Sequence, residues 1–96
     1  MNTHNLKIWP SFFSLHIERQ MEFQLRNDDR PYKVGDMLRL MEYDPESNSF
    51  SGNVAISRVT SVISGIPGLQ SGYVALGAFF VQMETKHTAP LEETEE

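Results

Sequence analysis

A chain of 96 residues has room for one hydrophobic core, and at 40% hydrophobic and 22% charged residues it is composed like an ordinary soluble domain. It has no cysteine, which excludes disulfide staples and thiolate zinc sites and suits a reducing cytoplasm. The net charge of −5 sits mostly at the end: from Glu84 onward there are five acids and one base, while residues 1–83 hold eight acids and seven bases. No basic, apolar leader opens the chain, so no signal peptide is expected. The longest apolar run, Tyr73 to Val81, is far below the roughly 20 residues that span a bilayer, so no membrane is expected as a partner.

Taken in order, "LKIWP" predicts a strand from Leu6 to Trp9. Pro10 suits the first turn of a helix, where its missing N–H costs nothing, and Phe13 and Ile17 repeat at a spacing of four. A helix is expected from Pro10 to about Gln20, with His16 on its surface or at a polar seam. "MEFQLR" alternates, with Met21, Phe23 and Leu25 on one face and Glu22, Gln24 and Arg26 on the other, as in a half-buried strand. "NDDRPYKVGD" is turn chemistry. Met37 to Tyr43 resumes as a strand with apolar groups on both faces, so cover is expected on both sides. A second turn, "DPESNSFSGN", precedes a long strand from Val54 to Ser64, expected to bend near Ser57 and Arg58. After the loop "GIPGLQSG", the last strand is Tyr73 to Val81, with Gly77 marking a bulge or a close backbone approach.

One helix and five strands joined by Gly, Pro and Asn turns make the class mainly β. A flat sheet would leave edges and an apolar face uncovered, so a small barrel plugged by the N-terminal helix is expected over residues 1–82. Residues 83–96 form an acidic tail, poor in apolar groups, that is expected to be disordered and solubilising. A sharper reading makes it an acidic competitor for the body's own cations.

Catalytic and metal patterns are scarce. His4, His16 and His87 are scattered, no Walker or dinucleotide fingerprint occurs, and no Gly-x-Ser-x-Gly elbow exists. Neither a metal site nor a cofactor is expected. Asp28 and Asp29 are adjacent in a turn and are read as turn formers. What remains is a set of cations and aromatics, chiefly Lys7, Arg26, Arg30 and Lys33 with Trp9 and Tyr32. If the first two strands and the turn after them meet, a positive groove with aromatic walls results, suited to phosphate and stacked bases. The alternative is a set of solvated charges paired with Asp28, Asp29, Asp36 and Glu42.

The segments "HNLKIWPSFF", "FQLRNDDRPYKVGDMLRLMEYDP", "SGNVAISRVTSVI" and "PGLQSGYVALGAF" together resemble the DUF3850 family (domain of unknown function 3850) of the ASCH/PUA-like superfamily, from about Thr3 to Phe80. The resemblance implies a PUA-like β-barrel that binds RNA or nucleotides in a cleft beside a Gly-x-Lys-x-x-Glu-x-Arg segment. Here that segment runs from Arg19 to Arg26; its final arginine agrees, but Arg19, Met21 and Gln24 replace the glycine, the lysine and the glutamate. In a branch that hydrolyses a modified nucleoside amide, a lysine and a threonine carry the chemistry, and their places fall on Met21 and Gln24. A thioether takes no proton and an amide is no nucleophile, which argues against that activity. Gln24 can still read a base edge.

The expectation is therefore a cytoplasmic, non-catalytic binder of RNA or a nucleotide. Lys7, Arg26, Arg30 and Lys33 would hold charge, Gln24 would give polar readout, and Trp9 or Tyr32 would stack. The alternatives are a small module that docks on a protein partner, and a divergent hydrolase with Glu22 or Glu42 as base. The oligomeric state is left open.

Overall fold

The computed structural model describes residues 1–84, and every structural statement below concerns those residues. The elements are β1 (Thr3–Ile8), α1 (Pro10–Ile17), β2 (Phe23–Asn27), β3 (Met37–Asp44), β4 (Ser49–Ile63) and β5 (Tyr73–Met83). The strands form one sheet in the order β1-β3-β4-β5-β2. β1 runs parallel to β3, with Thr3 opposite Met37, and all other pairings are antiparallel. The sheet curls into a half-barrel, and no backbone ladder joins its two edge strands, β1 and β2. No helix is long and apolar enough to cross a membrane.

The inner face holds the core: Leu6, Ile8, Leu38, Leu40, Ala55, Val59, Val74, Leu76 and Ala78, with Phe13 of α1 buried among them and Ile17 packed against them. Helix α1 starts as its sequence predicts. Pro10 occupies the first turn, and the Trp9 carbonyl accepts from the Phe12 and Phe13 amides at 3.0 and 2.8 Å. It ends earlier than Gln20. The Gln20 amide reaches back to the Leu15 carbonyl and the Arg19 amide to that of His16, the paired bonds of a Schellman turn. That turn needs a left-handed residue, usually glycine, and Arg19 supplies it at φ 59°. Its guanidinium compensates by donating to the Phe80 carbonyl at 2.8 Å and lying over the Phe79 ring.

His16 lies at the buried seam between α1 and the sheet and not on the helix surface, with no exposed area. Its Nδ1 donates to the Met21 carbonyl at 2.9 Å, which leaves Nε2 to accept from the Ser57 hydroxyl at 2.6 Å. Burial is the main cause that lowers its pKa from 6.5, outweighing the Met21 bond that would raise it.

β1 begins three residues before Leu6, because polar side chains there find buried partners. His4 faces inward and donates to Asp36 at 2.8 Å, and Asp36 also accepts from the Asn2 and Lys33 amides. This carboxylate ties the N-terminus, the turn before β3 and the start of β3 together. The His4 bond first, then the Asn2 and Lys33 amides, hold its pKa at about 2, against the opposing effect of burial.

β3 is covered on both faces. Leu38 and Leu40 lie in the core, and Met41 on the other face is fully buried, beneath an Arg39–Glu84 ion pair of 2.6 Å. β4 begins five residues before Val54, pairing Ser49 and Phe50 with Asp44 and Tyr43, so much of the serine-rich turn is strand. The β4–β5 register shifts between Ile56 and Ser57, near the expected bend, and again between Val59 and Ser61. At the second shift Gly77 packs so close that a Cβ would strike the Ser61 and Thr60 hydroxyls. β5 continues to Met83, and the Glu84 amide still donates to the Val54 carbonyl. The remainder of the expected acidic tail lies outside the described residues.

Two predictions follow from these bonds. The His16 pKa is lowered on folding, so its contribution to stability is complete above about pH 6.5 and declines as pH falls below that value. The Asp36 contribution is complete above about pH 3.8 and is lost as pH falls through about 2. Chemical denaturation across pH should show both declines, and His16→Gln should flatten only the first. At the helix end, Arg19→Ala loses the side-chain contacts and keeps the left-handed strain, whereas Arg19→Gly loses the contacts and relieves the strain. Thermal melts should place Arg19→Ala about 1 kcal/mol below Arg19→Gly.

Candidate functional site

Where the curled sheet fails to close, β1 and β2 face each other across a gap beside the start of α1. A cavity of about 360 Å³ lies there, lined by Lys7 to Trp9, Phe12, Met21 and Phe23 to Arg26. The register of β2 against β5 decides how it is furnished. Gln24 and Arg26 pair with Leu76 and Val74, which are core residues, so these two polar side chains point inward. Phe23 and Leu25, the apolar set of the strand, are turned outward and stay 50% and 58% exposed. The amphipathic pattern is correctly alternating, but its polar side faces the interior.

The inward side chains bridge the gap. One guanidinium nitrogen of Arg26, Nη2, donates to the Lys7 carbonyl of β1 at 2.7 Å and to Gln24 Oε1 at 3.0 Å. A single side chain thus links the edges that no backbone ladder joins. The same bond orients the Gln24 amide. With Oε1 accepting from Arg26, Nε2 is left as a donor, and this nitrogen is buried with no hydrogen-bond partner. Gln24 as a whole is 3% exposed. A buried amide donor without an acceptor costs about 1–3 kcal/mol, so a group that supplies one is favoured there.

The walls are aromatic. Trp9 and Phe12, three apart at the start of the helix, stack at 6.0 Å between ring centres and 7° between planes. Both are partly exposed, as is Phe23 on the opposite lip. Proline after the tryptophan and the spacing of three were the sequence signs of this wall. Phe12 and Phe23 are not among the expected binding residues, and Met21 enters the sequence reading of the site only as the place of a missing lysine.

Of the predicted binding residues, Lys7, Trp9, Gln24 and Arg26 meet at this cleft. Lys7 gives its carbonyl to Arg26, and its ammonium sits over the Tyr43 ring, 4.3 Å from the centre. Arg30 lines a different, open cavity of about 440 Å³ with Asn2, Thr3, His4, Asp29 and Pro31, and its Nε lies 3.5 Å from Asp29. Tyr32 is buried in the core, its ring 4.7 Å from that of His4, so it does not present a stacking face. Lys33 is exposed on the turn, where its amide serves Asp36. Glu22 is exposed, and Glu42 accepts from Ser51 and Asn53 on the β3–β4 hairpin; neither lines the cleft.

The His16–Ser57 pair has the geometry of a base and a hydroxyl, with the Met21 carbonyl fixing the tautomer. Neither residue has exposed area and neither lines a described cavity, so the pair serves as a core bond. Among the described residues no three His, Asp or Glu side chains group in a way that could hold a metal ion.

The bridge is open to a direct test. Arg26→Ala should cost about 2 kcal/mol of stability, the range for hydrogen bonds to a charged donor. Hydrogen exchange should then rise at the free edges of β1 and β2 and stay slow in β3 and β4. Arg26→Lys should recover only part of this, since an ammonium lacks the planar fork.

No curated protein matches this chain. Residues 3–78 match the family described as a domain of unknown function, DUF3850, and with most of its length covered the chain belongs to that family.

Proposed function

We propose that this DUF3850 domain is a PUA-like fold of the ASCH kind that binds a base-bearing ligand, RNA or nucleotide, in the cleft between β1 and β2, and does no chemistry on it. One observation carries the reading: a buried amide donor without a partner, Gln24 Nε2, at a cavity walled by Trp9, Phe12 and Phe23. Flat rings with an oriented amide donor suit an unpaired base, stacked on its faces and hydrogen-bonded at its edge. The segment that resembles Gly-x-Lys-x-x-Glu-x-Arg supports the same place, because Met21, Gln24 and Arg26 all line the cavity. The absence of chemistry rests on Met21 and Gln24, which offer neither a base nor a nucleophile. Cysteine-free composition makes the cytoplasm a suitable setting.

A second reading, a module that docks on another protein, is favoured by the outer edge of β2. The Ala78 amide bonds to the Glu22 carbonyl and the Asp28 amide to the Gly72 carbonyl, so these even-numbered residues face β5. The backbone groups of Phe23, Leu25 and Asn27 then point to the open edge, beside two exposed apolar side chains.

Trp9 is the sole tryptophan of the chain and stands in the cleft wall. Its fluorescence should change on addition of short single-stranded RNA or mixed nucleotides, and the change should be lost in Phe12→Ala with Phe23→Ala. A signal that no nucleic acid or nucleotide alters, with the fold intact by circular dichroism, would remove the first reading and leave the second.

A further inference from the structure

The cleft is rich in rings, and the two cations that line it, Lys7 and Arg26, are engaged with neutral groups of the protein. Arg26 spends Nη2 on the Lys7 carbonyl and on Gln24, and so acts as a brace across the gap. The Lys7 ammonium is turned to the Tyr43 ring. Arg30 belongs to the other cavity, beside Asp29, and Arg19 donates to the Phe80 carbonyl. A phosphate brought into this cavity would lose its hydration and could reach only the buried Nε of a guanidinium already held by Lys7 and Gln24, which is unfavourable. The cavity volume is at the small end of the usual range for ligand sites, about 300–1,000 Å³, enough for one ring system and its sugar.

Gln24 narrows the choice further. A glutamine that reads adenine does so through both its oxygen and its nitrogen. Here the oxygen is taken by Arg26, and the nitrogen alone remains. Arg26 Nε is also buried with no hydrogen-bond partner, so the site sets a neutral donor beside a charged one, and the neutral one asks for an acceptor, a ring carbonyl or a ring nitrogen.

Resting on the base-binding reading above, we infer that the cleft takes the uncharged nucleobase of its ligand through a hydrogen-bond acceptor at Gln24 Nε2, and leaves any phosphate in solvent. Ribose and phosphate then add little, and a free nucleoside, a nucleotide and an unpaired base in RNA are equivalent ligands at this position. Binding is governed by stacking and one neutral hydrogen bond, so it does not follow the salt dependence of a phosphate site.

The test is a titration of the full chain followed by the side-chain amide resonances of Gln24. Uridine and uridine 5′-monophosphate should bind with dissociation constants within about twofold of each other, unchanged between about 0.05 and 0.5 M salt. Gln24→Glu keeps a partner for Arg26 and removes the donor, and it should weaken uridine about tenfold. Gln24→Met, which removes the amide at similar volume, should weaken it to a similar degree. Indole, a flat ring with a donor and no acceptor, should bind equally to the parent and to both variants. A monophosphate that binds more than about tenfold tighter than uridine, with affinity that falls steeply with salt, would overturn the inference and leave the nucleotide reading standing. Uridine binding that both variants retain would also overturn it. If neither uridine, its monophosphate nor a short single-stranded RNA moves the Gln24 resonances, the base-binding reading itself falls.

Discussion

Everything at the candidate site depends on Arg26 spanning two strands that do not pair. A curled five-stranded sheet has two edges, and here β1 and β2 meet without a shared ladder. The guanidinium crosses the gap to the Lys7 carbonyl, and its second hydrogen bond fixes the amide of Gln24. Closure by a side chain leaves space that closure by backbone would fill. The cavity, the orientation of Gln24 and the separation of the Trp9 and Phe23 walls all follow from that substitution of one kind of bond for another.

Much of the fold is legible in the sequence, since the alternation of β3, β4 and β5 matches the faces they bury, and Pro10 opens the helix. The misses share a cause. Local patterns report polarity, whereas the structure assigns faces through distant partners. Thr3 to Asn5 looks too polar for a strand until Asp36 supplies a mate for His4. β2 alternates properly, yet only its pairing with Val74 and Leu76 reveals that the polar set points in. The helix is cut short by a left-handed turn at an arginine, a residue that carries no such signal.

The site shows the same limit. Lys7 and Arg26 do come together, but through a carbonyl and a brace, and composition cannot tell a cation that faces a ligand from one that faces its own backbone. Tyr32 and Arg30 are near Arg26 in sequence and are carried elsewhere by the turn, one into the core and one to another cavity. At Arg19, where the resembled segment has glycine, this chain makes a left-handed turn with a side chain anchored on β5.

Strand order also bears on how the molecule assembles. β3, β4 and β5 are consecutive neighbours, so that meander needs only short-range closures. β1 must find β3 about thirty residues away and β2 must find β5 about fifty away, across larger loops that are slower to close. On this loop-closure argument the two strands that frame the cleft are the late additions, each held by a backbone ladder on one side only. Local opening of the chain is cheapest at such margins. A ligand seated between them would contact both latecomers at once, and its binding energy would fall on the least secured part of the sheet.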